Sequence, residues 1–245
     1  KLQRTKREIW IMKFGNRIVT DGLVFAVDAA NPISYPGSGT AWNDLTPNKN
    51  NGTLINGPTF DPANAGSIVF DDIDDYVISE NNISTLLNDG ESFTLSTWYK
   101  STDNSSGTYM ALAFGNYANY FLFQVKNNNS STSFIQLSRR KFVSGTGYVT
   151  ETLSTNNIHN VWNNVTVILT DNGGTLKLYL NGVLSDSLVT AVDLVIPTFP
   201  IMIGDSNPFA HYWAGNISNA QIYNKELSAS EVLQNYNALK GRFGL

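Results

Sequence analysis

Apolar side chains occupy every second position in two neighbouring stretches of the chain, residues 165–169 and 176–180. The Asp-Asn-Gly-Gly sequence at 171–174 separates them, and Asn181-Gly182 follows the second stretch. An Asn-Gly pair favours the positive φ angles of a type I′ hairpin turn. The pattern therefore predicts three consecutive antiparallel strands joined by tight turns, with leucine and valine side chains on the core face.

Further strand-like segments, separated by turn signals, fill much of the remaining chain. They span residues 22–28, 67–70, 76–79, 92–100, 109–115 and 120–126. The last two predict a hairpin, and the polar stretch 127–133 predicts an exposed turn. Alternation within 92–100 predicts a half-buried strand with Thr94 and Ser96 on its polar face.

Only one helix is predicted, close to the C-terminus. Ser228 and Glu231 fit a capping box at its start, and Gly241 is a signal for its end. The apolar residues between them fall on one helical face: Val232, Leu233, Tyr236 and Leu239. The chain is therefore predicted to be an all-β sandwich with one short C-terminal helix packed against it.

The composition excludes several kinds of chemistry. Among 245 residues there is no cysteine and there are two histidines, which excludes disulfides, thiolate metal sites and cysteine nucleophiles. No apolar run is long enough for a transmembrane helix, so membrane insertion is not expected. No strand carries the paired carboxylates of a glycosidase, because Asp89 and Glu91 flank a turn glycine. We therefore predict no enzyme activity, with a glycan hydrolase as the rival hypothesis.

Charge is distributed unevenly along the chain. Residues 1–17 contain six Lys or Arg and one Glu, whereas the remainder contains ten basic and nineteen acidic residues. We expect residues 1–19 to form a basic arm, 20–240 to form one domain and 241–245 to form a tail. The one other basic cluster is 139–141, so nucleic-acid binding is not expected.

The basic arm combines cations with apolar side chains. The residues expected to contact a partner protein are Lys13, Phe14, Arg17 and Ile18. In the competing interpretation, Ile18 and Val19 merely begin the first strand. Because the sequence from Met12 onward reads like an ordinary protein start, we also hypothesise that native translation begins there and that residues 1–11 are not native.

Four segments carry a resemblance to a known family. They are residues 70–77 (FDDIDDYV), 93–98 (FTLSTW), 162–167 with 176–182 (WNNVTV and LKLYLNG), and motifs between 203 and 231. Together they resemble the laminin-G-like (LamG) branch of the concanavalin A-like lectin/glucanase superfamily. The resemblance implies an antiparallel jelly-roll β-sandwich of two sheets. Asp72 stands where the family usually has Gly, and Asn163 where many relatives have His.

Residues 22–25, 34–40 and 51–54 carry a narrower resemblance. They are similar to N-terminal signatures of LamG-type structural proteins of tailed bacteriophages. This implies a virion decoration protein at the virion surface, present in the host cytoplasm before assembly. Expected partners are capsid or other virion proteins, cell-surface glycans and further copies of the chain. A bacterial surface carbohydrate-binding adhesion module is the alternative.

Two segments contain candidate ligand-binding residues. Asp71, Asp74 and Asp75 could hold Ca²⁺, which prefers oxygen ligands, although no cofactor is required and a solvated turn is the alternative. The loop after Ile203 resembles metal- or sugar-binding loops of LamG and pentraxin relatives. Its candidate glycan-binding residues are Asp205, Asn207, His211, Tyr212 and Trp213, which offer oxygen ligands and aromatic rings. Alternatively, Phe209 and Trp213 tuck under the loop and anchor it.

Overall fold

The computed structural model describes residues 17–102, 107–115, 120–129, 132–170, 174–190, 195–205 and 211–245. The strands in this part of the chain are β1 (Leu23–Asp28), β2 (Ala41–Trp42), β3 (Gly52–Ile55), β4 (Thr59–Asp61), β5 (Ser67–Asp71), β6 (Tyr76–Asn82), β7 (Phe93–Ser101), β8 (Gly107–Gly115), β9 (Tyr120–Asn129), β10 (Thr132–Val143), β11 (Gly147–Asn156), β12 (Asn163–Leu169), β13 (Thr175–Leu180), β14 (Val183–Val189), β15 (Pro200–Ile203) and β16 (Ala214–Tyr223). The α-helix is α1 (Ala229–Leu239). No helix of the described ranges combines the length and apolar character needed to cross a membrane.

The described strands form two antiparallel sheets of eight strands each. Sheet 1 has the order β14-β13-β12-β7-β16-β5-β4, and β1 pairs with the half of β16 that β5 leaves unpaired. Sheet 2 has the order β11-β10-β9-β8-β15-β6-β3-β2. The structure thus confirms the predicted all-β sandwich, the hairpin of β8 and β9 and the three consecutive strands β12 to β14. Asn181 and Gly182 have φ angles of 51° and 79°, as the predicted type I′ turn requires.

The sheets pack face to face and enclose one large apolar cluster. Its members come from both sheets and from the connections between them. Large aromatic side chains of this cluster include Phe25, Trp42, Phe93, Tyr99, Phe123 and Trp213, and all are almost completely buried. Burial of this apolar surface is the main favourable contribution to folding.

The outer face of sheet 1 is covered as well. Helix α1 packs there through a second cluster that includes Val232, Tyr223 and Tyr179. As a result β12 and β16 are buried along their whole length, and the prediction of a half-buried β7 is wrong. Thr94 is inaccessible because its hydroxyl donates to Lys225 O at 2.8 Å and accepts from Leu227 N at 3.0 Å. A polar side chain in a strand marks the solvent face only when no other element satisfies its hydrogen bonds.

Both the start and the end of α1 agree with the sequence prediction. Ser228 Oγ accepts from Glu231 N, and Glu231 Oε2 accepts from Ser228 N at 2.8 Å, which completes the capping box. The α-helix ends at Leu239 with Lys240 as its C-cap, directly before Gly241. A separate 3₁₀ turn, Lys240–Phe243, follows and ends at Gly244 with a φ of 75°.

Residues 241–245 are part of the packed domain, so the expectation of a tail is corrected. Phe243 is 8% exposed, and its ring lies 4.3 Å from the ring of Trp98 and 4.6 Å from that of Trp162. Arg242 Nη1 lies 3.0 Å from Asp28 Oδ2. Aromatic burial and an ion pair therefore fix this segment to the outer face of sheet 1.

The helix face was predicted incorrectly in one respect. Asn235 is buried whereas Leu233 is 45% exposed. Asn235 Oδ1 accepts from Val19 N at 2.7 Å, and its Nδ2 donates to Tyr223 OH at 3.0 Å. Both ends of the Asn235 amide are thus hydrogen-bonded, which offsets most of the cost of burying this polar side chain.

Residues 17–19 of the expected arm lie against the helix. Gln234 Nε2 donates to Arg17 O at 2.8 Å, and Tyr223 OH donates to Val19 O at 3.0 Å. The first strand begins at Leu23, so the interpretation that Ile18 and Val19 begin it is wrong. Lys13 and Phe14 lie outside the described residues, and partner binding by the arm stays a prediction.

Candidate functional site

Two connections cross between the sheets side by side at one end of the sandwich, which we call the loop end. One links β5 to β6 through residues 72–75, and the other links β15 to β16 through residues 204–213. The start of β16 pairs with the end of β5 (Ala214 with Asp71), and the end of β15 pairs with the start of β6 (Ile203 with Val77). Strand pairing thus places the two predicted ligand-binding segments next to each other.

Backbone hydrogen bonds join the two connections directly. Asp72 N donates to Trp213 O at 3.0 Å, and Trp213 N donates to Gly204 O at 2.8 Å. Asp72 has a φ of 68°, so it keeps a left-handed turn although the family usually has Gly there. Aspartate tolerates this conformation better than most side chains. Asn163, the other departure, is buried and donates to the carbonyls of Ile158 and Val161.

The acidic loop brings three carboxylates together. Asp71, Asp74 and Asp75 each place an oxygen within 4.8 Å of the others. Asp71 and Asp74 are exposed, while Asp75 is 4% exposed and accepts from Asp71 N at 3.2 Å. Burial, and then the neighbouring charge of Asp71, raise the pKa of Asp75 to about 6.

This raised pKa predicts a specific pH dependence. Between pH 4 and 6 the folded protein binds more protons at Asp75 than the unfolded chain, so the free energy of unfolding should fall as pH rises through this window. Asp75→Asn removes the effect and should exceed the wild-type stability by about 2 kcal/mol at pH 7, with little difference at pH 4. Urea unfolding in calcium-free buffer across this range measures both.

Asp74→Asn is the matched control for this prediction. Asp74 is exposed, and its substitution should leave most of the pH dependence in place. Parallel stability curves for the wild type and Asp75→Asn from pH 4 to 7 would show that Asp75 is ionised in the folded protein throughout.

The second connection adds a buried acid and a tyrosine to the same place. Asp205 is 4% exposed. Burial raises the pKa of Tyr212, and the charges of Asp205, Asp74 and ionised Tyr76 raise it further. Burial lowers the pKa of His211, against an opposing influence of Asp205. Because backbone hydrogen bonds join Asp72 to Trp213 and Trp213 to Gly204, the two predicted sites lie next to each other at the loop end.

Two other residues of the predicted loop site have different outcomes. Asn207 lies outside the described residues. Trp213 is fully buried, with its ring 5.4 Å from that of Tyr99 in an edge-to-face contact. Its prediction as a stacking platform for sugars is therefore wrong, since its ring belongs to the core.

Asp89 and Glu91, the carboxylates considered for a glycosidase, both accept hydrogen bonds from nearby amides. Asp89 Oδ1 accepts from Ile196 N at 2.6 Å, and Glu91 Oε2 accepts from Asn88 Nδ2 at 2.9 Å. They precede β7, whose other end leads to the loop end, and so they lie at the opposite end of the sandwich.

Sequence reasoning missed a third group of residues, on the outer face of sheet 2. Arg140 places its guanidinium carbon 3.8 Å from the ring centre of Tyr148 and 5.9 Å from that of Tyr120. Gln124 Nε2 donates to Gln136 Oε1 on the same face. The basic run at 139–141 was the available signal, but the strand pairing that selects Arg140 from it was not visible.

Comparison with known proteins identifies the family. Residues 71–233 match a family model of the laminin-G type, which is described as the concanavalin A-like lectin/glucanases superfamily. The match covers well over half of the chain. The chain belongs to this superfamily. A comparison with curated proteins gave no match.

Solved structures of this superfamily fold include several binding domains. The botulinum neurotoxin serotype D binding domain has a TM-score of 0.65 and 17% identity, over 88% of this chain and 51% of that one. The botulinum neurotoxin DC binding domain in complex with SialylT has a TM-score of 0.68 and 14% identity, over 89% and 52%. This chain thus spans about half of the length of the neurotoxin domains.

Domain 4 of AbnA, an extracellular arabinanase from Geobacillus stearothermophilus, is similar over nearly its whole length. Its structure, in complex with arabinotriose, has a TM-score of 0.64 and 15% identity over 87% of this chain and 98% of that one. At these identities the likeness shows the concanavalin A-like fold.

Proposed function

We propose that this superfamily member is a non-catalytic, lectin-like module that binds carbohydrate at the loop end. The observation that carries the proposal is that the two connections meet: Asp72 N donates to Trp213 O and Trp213 N donates to Gly204 O, so that Asp74, Asp205 and Tyr212 belong to adjoining loops. Burial and then the charges of Asp205 and Asp74 raise the pKa of Tyr212, which agrees with this placement. Aromatic rings suit the C–H faces of sugars, and carboxylates accept hydrogen bonds from sugar hydroxyls.

Two further observations support this proposal. Domain 4 of AbnA has the same fold and was solved in complex with arabinotriose, and one neurotoxin domain was solved in complex with SialylT. Asp89 and Glu91, the acids weighed for hydrolysis, hold backbone and side-chain amides in a turn. A binding role is therefore favoured over a hydrolase.

Replacing Tyr212 tests the proposal. We expect a glycan array to identify neutral oligosaccharide ligands of the wild-type chain, and Tyr212→Ala to weaken their binding at least tenfold in calorimetric titrations because the ring contact is lost. Tyr212→Phe keeps the ring and should retain most of the affinity. Equal affinities for the wild type and Tyr212→Ala would place any sugar site elsewhere.

We further propose that the acidic cluster can take up Ca²⁺. The three carboxylates each place an oxygen within 4.8 Å of the others. Oxygens at this separation can all bind one Ca²⁺ ion, whose ligands lie 2.3–2.6 Å from the metal. Asp71, Asp74 and Asp75 would be its ligands, with Asp75 ionised by the bound charge. Calorimetric titration with CaCl₂ at pH 7.5 should give binding that Asp75→Asn abolishes, and no heat of binding to the wild type would refute the site.

The biological setting proposed for the module is a virion surface. This rests on the similarity of residues 22–25, 34–40 and 51–54 to phage structural proteins. Capsid proteins would be its partners, through the arm that includes Arg17 and Ile18, and the host cytoplasm its location before assembly. Mass spectrometry of purified particles tests this. A gene located among bacterial surface proteins would instead indicate the adhesion-module alternative.

A further inference from the structure

Five of the described strands pair on one side only and so form the edges of the two sheets: β1, β2, β4, β11 and β14. An edge strand exposes peptide N–H and C=O groups that can pair with a strand of another chain, and proteins block such pairing with short strands, bulges, charges or covering loops. β2 and β4 have two and three residues, so their edges are blocked by their shortness.

A loop covers the free side of β1. Leu45 N donates to Ala26 O at 2.8 Å, and Ala26 N donates to Asp44 Oδ1 at 2.9 Å. Further along the same edge, the hydroxyl of Thr46 donates to Val24 O at 3.2 Å. The peptide groups that β1 turns away from β16 therefore already have partners within the chain.

A bulge and a carboxylate block the edge of β14. Ser185 is an extra residue in the pairing of β14 with β13, which interrupts the register. Asp186 then occupies two N–H groups: its Oδ1 accepts from Ser187 N at 2.8 Å, and its Oδ2 accepts from Ser154 N, on β11, at 3.1 Å. A second strand cannot pair with β14 without displacing this carboxylate.

The long edge strand is β11, with ten residues, and its first half lacks such protection. Because Ser154 N donates to Asp186, the Ser154 peptide group points away from β10. Residues two positions apart in a strand turn their peptide groups to the same side, so those of Thr150 and Thr152 also point to the open edge. Both residues are exposed, and no strand or loop of the described ranges pairs with these peptide groups.

The composition of this open segment favours pairing with another strand. Residues 148–152 read Tyr-Val-Thr-Glu-Thr, without lysine or proline, and their register with β10 contains no bulge. Tyrosine, valine and threonine are all enriched in strands. The one charged side chain, that of Glu151, is buried, and its Oε2 lies 3.7 Å from Arg139 Nε. The edge therefore presents no charge repulsion to a strand of the same sequence.

We propose that this edge joins two copies of the chain, β11 to β11, in an antiparallel pair that continues sheet 2 across both molecules. Two identical antiparallel strands are related by a two-fold axis, the commonest symmetry of protein dimers. Pairing centred on Thr150 uses the whole open segment and places Glu151 opposite Val149 of the second copy. A register centred on Glu151 would instead bring two carboxylates face to face, which is unfavourable. The inference goes beyond the proposed carbohydrate binding and does not depend on it.

The size of this junction sets the strength expected of the dimer. Residues 148–152 of each copy take part, so the interface belongs to the class below about 1,200 Å² that is typical of weak, reversible complexes. We therefore expect a dissociation constant of about 10–100 µM. Two joined copies carry two loop ends, so a surface that displays many ligands of the loop end would hold the pair more tightly than one copy.

Sedimentation equilibrium of the full chain measures the pairing. The wild type should dimerise reversibly, and Thr150→Pro should weaken dimerisation about tenfold or more. This variant loses the central outward N–H but no hydrogen bond to β10, and proline is tolerated at such an edge position. Thr150→Lys should have the same effect, since edge lysines prevent strand pairing.

Val189→Lys is the matched control. It adds the same charge to the blocked edge of β14, where Val189 is 74% exposed, and should leave the dissociation constant within about twofold. Urea unfolding confirms that each variant folds.

Single cysteines test the register, because the chain has none of its own. Thr150→Cys places two thiols directly opposite each other, with Cα atoms about 5.5 Å apart, and should form a disulfide-linked dimer under oxidised glutathione. The two cysteines of a Thr152→Cys pair would lie about 13 Å apart and should remain unlinked. Equal cross-linking of the two variants, a dimer that Thr150→Pro and Thr150→Lys leave intact, or a wild-type chain that stays monomeric at about 1 mM overturns the proposal.

Discussion

Replacing Gly204 with alanine is expected to lower the free energy of unfolding by about 3 kcal/mol. Gly204 has a φ of 88°, and a Cβ atom built on it would lie 2.5 Å from the ring of Phe70. Phe70 is 2% exposed, so its ring cannot move without disturbing the core. The substitution should also displace the carbonyl that accepts from Trp213 N, and with it the start of the Tyr212 loop.

Gly39→Ala separates the two causes of this loss. Gly39 has a φ of 89°, but no atom lies within 4 Å of the position of its Cβ. Its substitution should therefore cost only the backbone strain, about 1 kcal/mol. Urea unfolding gives both values, and glycan titration should show weaker binding for Gly204→Ala alone. Similar losses of stability for the two variants would mean that the contact with Phe70 has no effect.

Phe243→Ala is the second substitution with a large expected effect, again a loss of about 3 kcal/mol. The Phe243 ring packs between Trp98 and Trp162 on the outer face of sheet 1. Its removal leaves a cavity beneath two large rings that cannot close it. Because the Phe243 ring contacts Trp98 and Trp162, the tryptophan fluorescence of the folded variant should differ from that of the wild type.

Leu245→Ala provides the comparison for Phe243→Ala. Leu245 is an apolar residue of the same segment but is 53% exposed, so its substitution should change stability by less than about 0.5 kcal/mol. If Phe243→Ala were as stable as Leu245→Ala, the last five residues would behave as the tail that the sequence suggested.

Local patterns predicted the elements of this fold well. The turn at Asn181-Gly182 and the capping box at Ser228 depend on residues within a few positions of one another, and both are present as predicted. The sandwich class followed from the alternation of apolar residues, since this pattern reports how a strand faces a core. Such signals need no knowledge of distant contacts.

Features that depend on distant contacts were not predicted. Thr94 was assigned to a solvent face because its partners, Lys225 and Leu227, are more than 130 positions away in the sequence. For Trp213 the sequence left a sugar site and burial under the loop as alternatives, because nothing local shows that its ring meets Tyr99 in the core.

The candidate site was predicted in pieces for the same reason. Asp74 and Asp205 were placed in two separate candidate sites, and the pairing of β16 with β5 and of β15 with β6 brings the two loops that carry them together. Arg140 was counted with its neighbours as a basic cluster, and the register of β9, β10 and β11 places it between two tyrosines.

Nuclear magnetic resonance titration of the ¹⁵N-labelled chain with a neutral oligosaccharide selected from the array tests the loop-end site most directly. The amide signals of Asp74, Asp75, Tyr76, Asp205 and Tyr212 should shift together with increasing ligand and saturate with one dissociation constant. The same titration of Tyr212→Ala should leave them unshifted at equal ligand concentrations. Saturable shifts confined to residues far from these two loops, or no shifts at millimolar ligand, would contradict carbohydrate binding at the loop end.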